Sequence, residues 1–180
     1  GMARAGAEVV CAGRSSCDET VAAIEEAGGK AKAIHLDLSD PMAGQGVFAA
    51  EGPIDILVNN AGIIRRNDAI DFTEEDWDDV IDVNLKAVFF LCQAFAREVF
   101  SRGGTGRIVN IASLLSFQGG IRIPSYTASK HGVAGLTRLL ANEWAAKGIN
   151  VNAIAPGYIA TNNTSALRED EKRSAEILRR

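Results

Sequence analysis

The sequence predicts an α/β fold, a doubly wound parallel sheet with crossover helices, and three observations carry that prediction. Apolar runs too short for helices alternate with stretches of helical periodicity, which is the order of a parallel sheet rather than of hairpins. Glycine-bearing turns separate the two kinds of segment. The composition, 47% hydrophobic but only 6% aromatic, points to a core of Ala, Val, Ile and Leu. At 180 residues without repeat or linker, the chain reads as one domain over 1–180.

Taken in order, 1–7 is expected as the tail of a helix and Glu8-Val9-Val10-Cys11-Ala12 as a buried strand. A turn at Gly13-Arg14-Ser15-Ser16 leads into a helix over 18–27, closed by Gly28-Gly29. Strands follow at 31–38 and 55–59. Thr73 with Asp76 three residues on resembles a capping box, and behind it Val80, Val83, Ala87, Leu91 and Phe95 recur at helical spacing to about Arg102. The glycines at 103–106 break that helix. A strand at 107–112, a second long helix at 125–147 and a strand at 150–155 complete the order.

Composition also narrows the function. A net charge of −4 with scattered basic residues gives no face suited to nucleic acid. Cys11, Cys17 and Cys92 lack disulfide or zinc spacing, so buried thiols in a reducing cytoplasm are expected, with no metal. No segment reads as a membrane span or a secretion leader, so the chain is read as soluble. It opens on Gly1-Met2-Ala3-Arg4 and closes on Arg179-Arg180 inside a charged helical pattern, from which it is expected to be part of a longer protein.

An open parallel sheet places its ligand outside the carboxyl ends of its strands, so chemistry is sought just after each one. Tyr126 and Lys130 stand four apart on a predicted helix and share one face. A phenol needs a pKa roughly 3 units below its usual value to act as a base near neutrality, about 4 kcal/mol of preference, and a nearby ammonium supplies that sign. Ser113, at a strand end, can hold a carbonyl oxygen against the Tyr126 hydroxyl. Asn59-Asn60-Ala61-Gly62 follows a strand directly, where a turn lets backbone approach a flat ligand. Asn84, inside a helix between Val83 and Leu85, needs partners if buried or marks a kink holding water. His131 and His35 are read as structural.

NNAG after a strand, an asparagine in the next helix, then Ser113, YTASK and PGYIAT in that order resemble the short-chain dehydrogenase/reductase family across essentially the whole chain. The resemblance implies a Rossmann-like sheet, incomplete at both ends here, and a cytoplasmic NAD(P)-dependent oxidoreductase assembling as a homodimer or homotetramer. Tyr126 would be the general acid/base and Lys130 its electrostatic partner and ribose ligand. Ser113 would orient the substrate carbonyl, and Asn84 would hold a proton-relay water. Asn59, Ala61 and Gly62 would line the cofactor, Asn59 chiefly bracing the sheet. Asp37 with Leu38 would meet adenine, and Pro156, Gly157, Ile159 and Thr161 would surround the nicotinamide. The phosphate-binding glycine loop of the family is absent from 1–180, so a first strand carrying it and a C-terminal part are expected outside this chain. Where NAD-linked members carry an acid after the second strand, this chain has Gly13-Arg14, which favours NADP; both NAD and NADP stay open.

Within the family, the stretches 61–66, 113–126 and 157–178 resemble the members that act on 2-deoxy-D-gluconate or 2-dehydro-3-deoxy-D-gluconate. A sugar acid suits Arg65, Arg66 or Arg122, because a guanidinium grips a carboxylate in a two-pronged fork. Each of these arginines taken alone also suits a solvated surface. Gln118 and Asn162 would bond sugar hydroxyls. Two other readings stay open, a reductase for 3-oxoacyl thioesters or polyols and a catalytically silent dinucleotide-binding protein.

Overall fold

The computed structural model describes residues 1–159. Its elements are β1 (Glu8–Gly13), α1 (Asp18–Glu26), β2 (Lys30–His35), α2 (Val47–Glu51), β3 (Ile56–Asn59), α3 (Glu74–Ile81), α4 (Ala87–Ser101), β4 (Gly106–Ile111), α5 (Pro124–Trp144) and β5 (Ile149–Ile154). Every strand pair is parallel, which is the α/β architecture that the alternation of segments predicts.

The strands fall into two hydrogen-bonded groups, β1-β2 and β3-β4-β5. Between them runs a groove of about 490 Å³, walled by Val9, Val10 and Gly13 of β1 and by Ile56, Val58 and Asn59 of β3. Among the described residues, β1 and β3 each therefore keep one edge without a strand partner.

Other departures from the expectation are local. Residues 1–7 hold only a 3-10 turn, Ala3–Ala5, ended by left-handed Gly6. The second strand stops at His35 rather than at residue 38, although the Leu36 N–H still donates to the Gly13 carbonyl at 2.9 Å. A 3-10 turn at Ala43–Gly46 and the one-and-a-half-turn α2 occupy a stretch where no element is predicted, and Phe48 buries itself edge-on against Phe95. Thr73 does cap α3, accepting from the Asp76 N–H at 3.1 Å. The long helix behind it is interrupted by a π turn, Asp82–Lys86, centred on Asn84.

The core forms where α4 and α5 meet β4 and β5. Phe95, Val99, Ile108, Val133, Leu140, Ile149 and Val151 are buried together. Gly106 opens β4 directly beneath Phe95, where a Cβ would fall 2.7 Å from the ring, so glycine there lets the helix close on the sheet. Gly148, at φ 88°, turns the chain from the end of α5 into β5. No helix among the described residues is long and apolar enough to cross a membrane.

Candidate active site

The carboxyl ends of β3, β4 and β5 and the first turns of α5 converge on one corner of the molecule. The Ala112 N–H donates to the Ile154 carbonyl at 2.8 Å and the Leu114 N–H to the Pro156 carbonyl at 3.0 Å. Pro156 is thereby tied to the loop that carries Ser113. Ser113 itself is nearly buried, in extended backbone, and caps the 3-10 turn Leu114–Ser116 reciprocally with Ser116.

The Ser113 hydroxyl stands near enough to that of Tyr126 to act on its ionisation. Lys130, only 5% exposed, is held from two sides. Its ammonium donates to the Ile111 carbonyl at 2.6 Å, and its main-chain carbonyl accepts from the Ser116 hydroxyl at 2.7 Å. The ammonium lies over the Tyr126 ring, 5.6 Å from its centroid.

Burial pushes the Tyr126 phenol above its ordinary pKa, while the Ser113 hydroxyl and the positive charge of Arg66 pull it back. Burial likewise lowers Lys130 to about 8. The Lys130 ammonium gives one of its three N–H donors to the Ile111 carbonyl, and Arg66 adds a further positive charge near the phenol.

Asn84 is fully buried in its π turn and uses its whole amide on Ile63. The Oδ1 accepts from the Ile63 N–H at 2.8 Å, and the Nδ2 donates to the Ile63 carbonyl at 2.9 Å and lies 3.5 Å from the Ser129 hydroxyl. The segment after Gly62 is thus fastened to the helix opposite it. Ser129, Ser116 and the Ile111 carbonyl are participants that sequence reasoning missed; serines and main-chain carbonyls carry no spacing signal that would have marked them.

Asn59 lines the groove, yet its amide works inside the sheet. It donates to Asn110 Oδ1 at 2.8 Å and to Cys92 Sγ at 3.2 Å, and its own Oδ1, buried, has no partner. Ala61 and Gly62 line the same groove, as do Arg14, Asp37 and Leu38 at its other end. The Ser39 N–H, bonded at 3.0 Å, holds the Asp37 carboxyl below its ordinary range, with smaller help from the charge of Arg14.

The remaining expected positions are less concentrated. The Arg65 guanidinium is held by Asp79 at 2.7 Å and Asp76 at 3.3 Å, so two carboxylates already occupy its fork. Arg122 stands at φ 65° and pairs with Asp68 at 3.0 Å. Gln118, Gly157 and Ile159 are exposed. Thr161 and Asn162 lie outside the described residues.

A parallel α/β fold with a buried lysine one helical turn from a tyrosine that faces a strand-end serine defines an oxidoreductase of the dinucleotide-binding kind. The model of the short chain dehydrogenase family matches residues 1–172, and the chain belongs to that family. It is 55% identical to the 2-dehydro-3-deoxy-D-gluconate 5-dehydrogenase of Escherichia coli (strain K12), across all of this chain and 73% of that one. A solved structure of a candidate 2-deoxy-D-gluconate 3-dehydrogenase from Agrobacterium tumefaciens, with bound NADP, is 66% identical and superposes with a TM-score of 0.95 over 99% of this chain and 72% of that one. A gluconate 5-dehydrogenase from Burkholderia cenocepacia in complex with NADP and tartrate is 35% identical, with a TM-score of 0.89 over the same two shares.

Proposed function

We propose that this chain forms the catalytic part of an NAD(P)-dependent oxidoreductase interconverting a secondary alcohol and a ketone on a deoxy sugar acid, of the 2-deoxy-D-gluconate or 2-dehydro-3-deoxy-D-gluconate type. The observation that carries this reading is the Tyr126 hydroxyl facing Ser113 with Lys130 buried beneath the ring. Ser113 holds the carbinol oxygen. Tyr126, as phenolate, takes the proton from that oxygen during oxidation and returns it during reduction. Lys130 keeps a positive charge under the ring, and Asn84 fixes the wall at Ile63, with its π turn the place where a relay water would sit. When bound, the nicotinamide accepts or supplies the hydride.

The residues present fit such a dinucleotide. Only the rim of the groove, beyond the carboxyl ends of the strands, is meant for it: Ala61 and Gly62 line that rim, where a flat ring can lie, as do Arg14 and Asp37, suited to the adenosine. We place the phosphate cradle on a further strand seated between β1 and β3, because both edges and the buried Asn59 Oδ1 there lack partners. Arg66, whose charge reaches Tyr126, is the residue we assign to the substrate carboxylate.

The test is turnover by the full-length protein, followed by nicotinamide absorbance with 2-deoxy-D-gluconate, 2-dehydro-3-deoxy-D-gluconate, a neutral polyol and a 3-oxoacyl thioester. Preference for the acids supports the assignment. Preference for the thioester or polyol replaces it, and no turnover of any leaves a silent dinucleotide binder.

A further inference from the structure

Two of the cysteines stand where the proposed chemistry makes no use of them. Cys11 lies on β1, and Cys17 precedes α1 on the far side of the turn at residues 13–16. Side chains alternate along a strand, so Cys11 projects to the same face as position 13, about 6.6 Å farther back. Position 13 is a glycine, and a Cβ built on it would stand 3.1 Å from the Cys17 sulfur. The Cys17 thiol therefore overlies the very face from which Cys11 projects, with no side chain between them at position 13. Burial and then the charge of Cys17 raise the Cys11 thiol above its ordinary pKa.

Both cysteines are free and partly exposed. Cys17 Sγ makes one weak contact, to the Ser15 carbonyl at 3.8 Å, so little fixes its rotamer. Arg14, Ser15 and Ser16 are exposed and can yield as the chain on either side draws in. A disulfide needs Cβ atoms at about 3.5–4.5 Å, so closure requires the exposed turn to draw Cys17 toward Cys11.

We propose that Cys11 and Cys17 are a redox-responsive dithiol that closes to a disulfide across the turn carrying Arg14, and that closure changes the grip on the dinucleotide. The second half rests on the reading of Arg14 as a cofactor contact. The oxidant is a hydroperoxide. The partly exposed Cys17 thiolate attacks the O–O bond, so that an S–O bond forms and the alkoxide or hydroxide leaves. Cys11 then attacks the sulfenic sulfur, forming S–S and releasing water. Two thiols and one hydroperoxide give one disulfide, one alcohol (or water) and one water. A small dithiol reverses it by exchange.

The experiment treats full-length protein with hydrogen peroxide, alkylates remaining thiols and digests with trypsin without reduction. Cleavage after Arg4, Arg14 and Lys30 leaves the two cysteines on peptides 5–14 and 15–30, which a disulfide joins. The expected result is the joined species, reversed by dithiothreitol, with a change of about five-fold or more in the Kd for NADP. C17S keeps the Kd of the reduced parent and shows no change on treatment. Separate peptides with an over-oxidised or alkylated Cys17 overturn the dithiol, and joined peptides with an unaltered Kd overturn the switch. R14A in reduced protein isolates the underlying reading: an unchanged Kd for NADP overturns the role of Arg14 and leaves the crosslink result standing.

Discussion

Asn84 holds both main-chain polar groups of Ile63, the N–H at 2.8 Å and the carbonyl at 2.9 Å, so that one buried amide serves as the strand partner that this segment lacks. Replacing it with aspartate keeps the acceptor, removes the donor and buries a carboxylate. N84D should lose about 3 kcal/mol or more of stability, read as a lower denaturation midpoint. N84A should lose about 2 kcal/mol, because it leaves two backbone groups unpaired. A loss below about 0.5 kcal/mol in both variants would show that water replaces the clamp without penalty.

The hydroxyl of Tyr126 is the proton carrier in the proposed reaction. Y126F should lower kcat by roughly 100- to 10,000-fold while leaving the Kd for the dinucleotide within a few-fold. Steady-state rates with 2-deoxy-D-gluconate, paired with cofactor titration, measure both. A variant turning over at the parental rate would remove the assignment.

Arg65 and Arg66 are adjacent in sequence and differently engaged. R66A should raise KM for the sugar acid by roughly 10- to 100-fold, with little change for a neutral ketone. R65A breaks half-exposed pairs to Asp76 and Asp79 and should cost only about 0–1 kcal/mol of stability, with KM near that of the parent. Equal effects of R66A on both substrates would detach Arg66 from the carboxylate.

Lys130 supplies a pH signature. Burial lowers it from 10.5 to about 8, so between those values the unfolded chain binds a proton that the folded chain does not. Stability should therefore rise with pH from about 8, by at most about 3 kcal/mol, before the raised Tyr126 and Cys11 begin to act in the opposite sense. Urea unfolding at pH 7, 8 and 9 reads the slope. K130M, without a titrating amine, should lack that rise; an identical slope in both would assign it elsewhere.

Much of the architecture was legible because β1, α1, β3, α5 and β5 each carry an apolar period that one kind of backbone can satisfy. The exceptions have physical reasons. Residues 47–51 are too short to display a helical period, and Phe48 is fixed by Phe95, which is distant in sequence. Periodicity does not say which strands hydrogen-bond, so the separation into two sheet groups was invisible. In the site, the meeting of Tyr126 with Lys130 and Ser113 was legible from helical spacing and a strand end. The ion pairs on Arg65 depend on how a loop meets α3, and the carbonyl that captures Lys130 belongs to backbone, which sequence does not reveal. The asparagine inside a helix was the one visible sign of the π turn.

The chain of buried amides inside the β3-β4-β5 sheet bears on how the protein reaches its fold. Asn59 and Asn110 are opposite one another in the β3–β4 pairing, and their side chains are bonded, with Asn110 passing on to Thr137 of α5 at 3.0 Å. Sliding β4 by one residue would set Asn59 against an aliphatic neighbour and strand two amides in hydrocarbon, while every other side chain of β4 changed face. Misregistered folding intermediates are thereby penalised at the centre of the sheet, where Val and Ile alone would discriminate poorly between one alignment and the next.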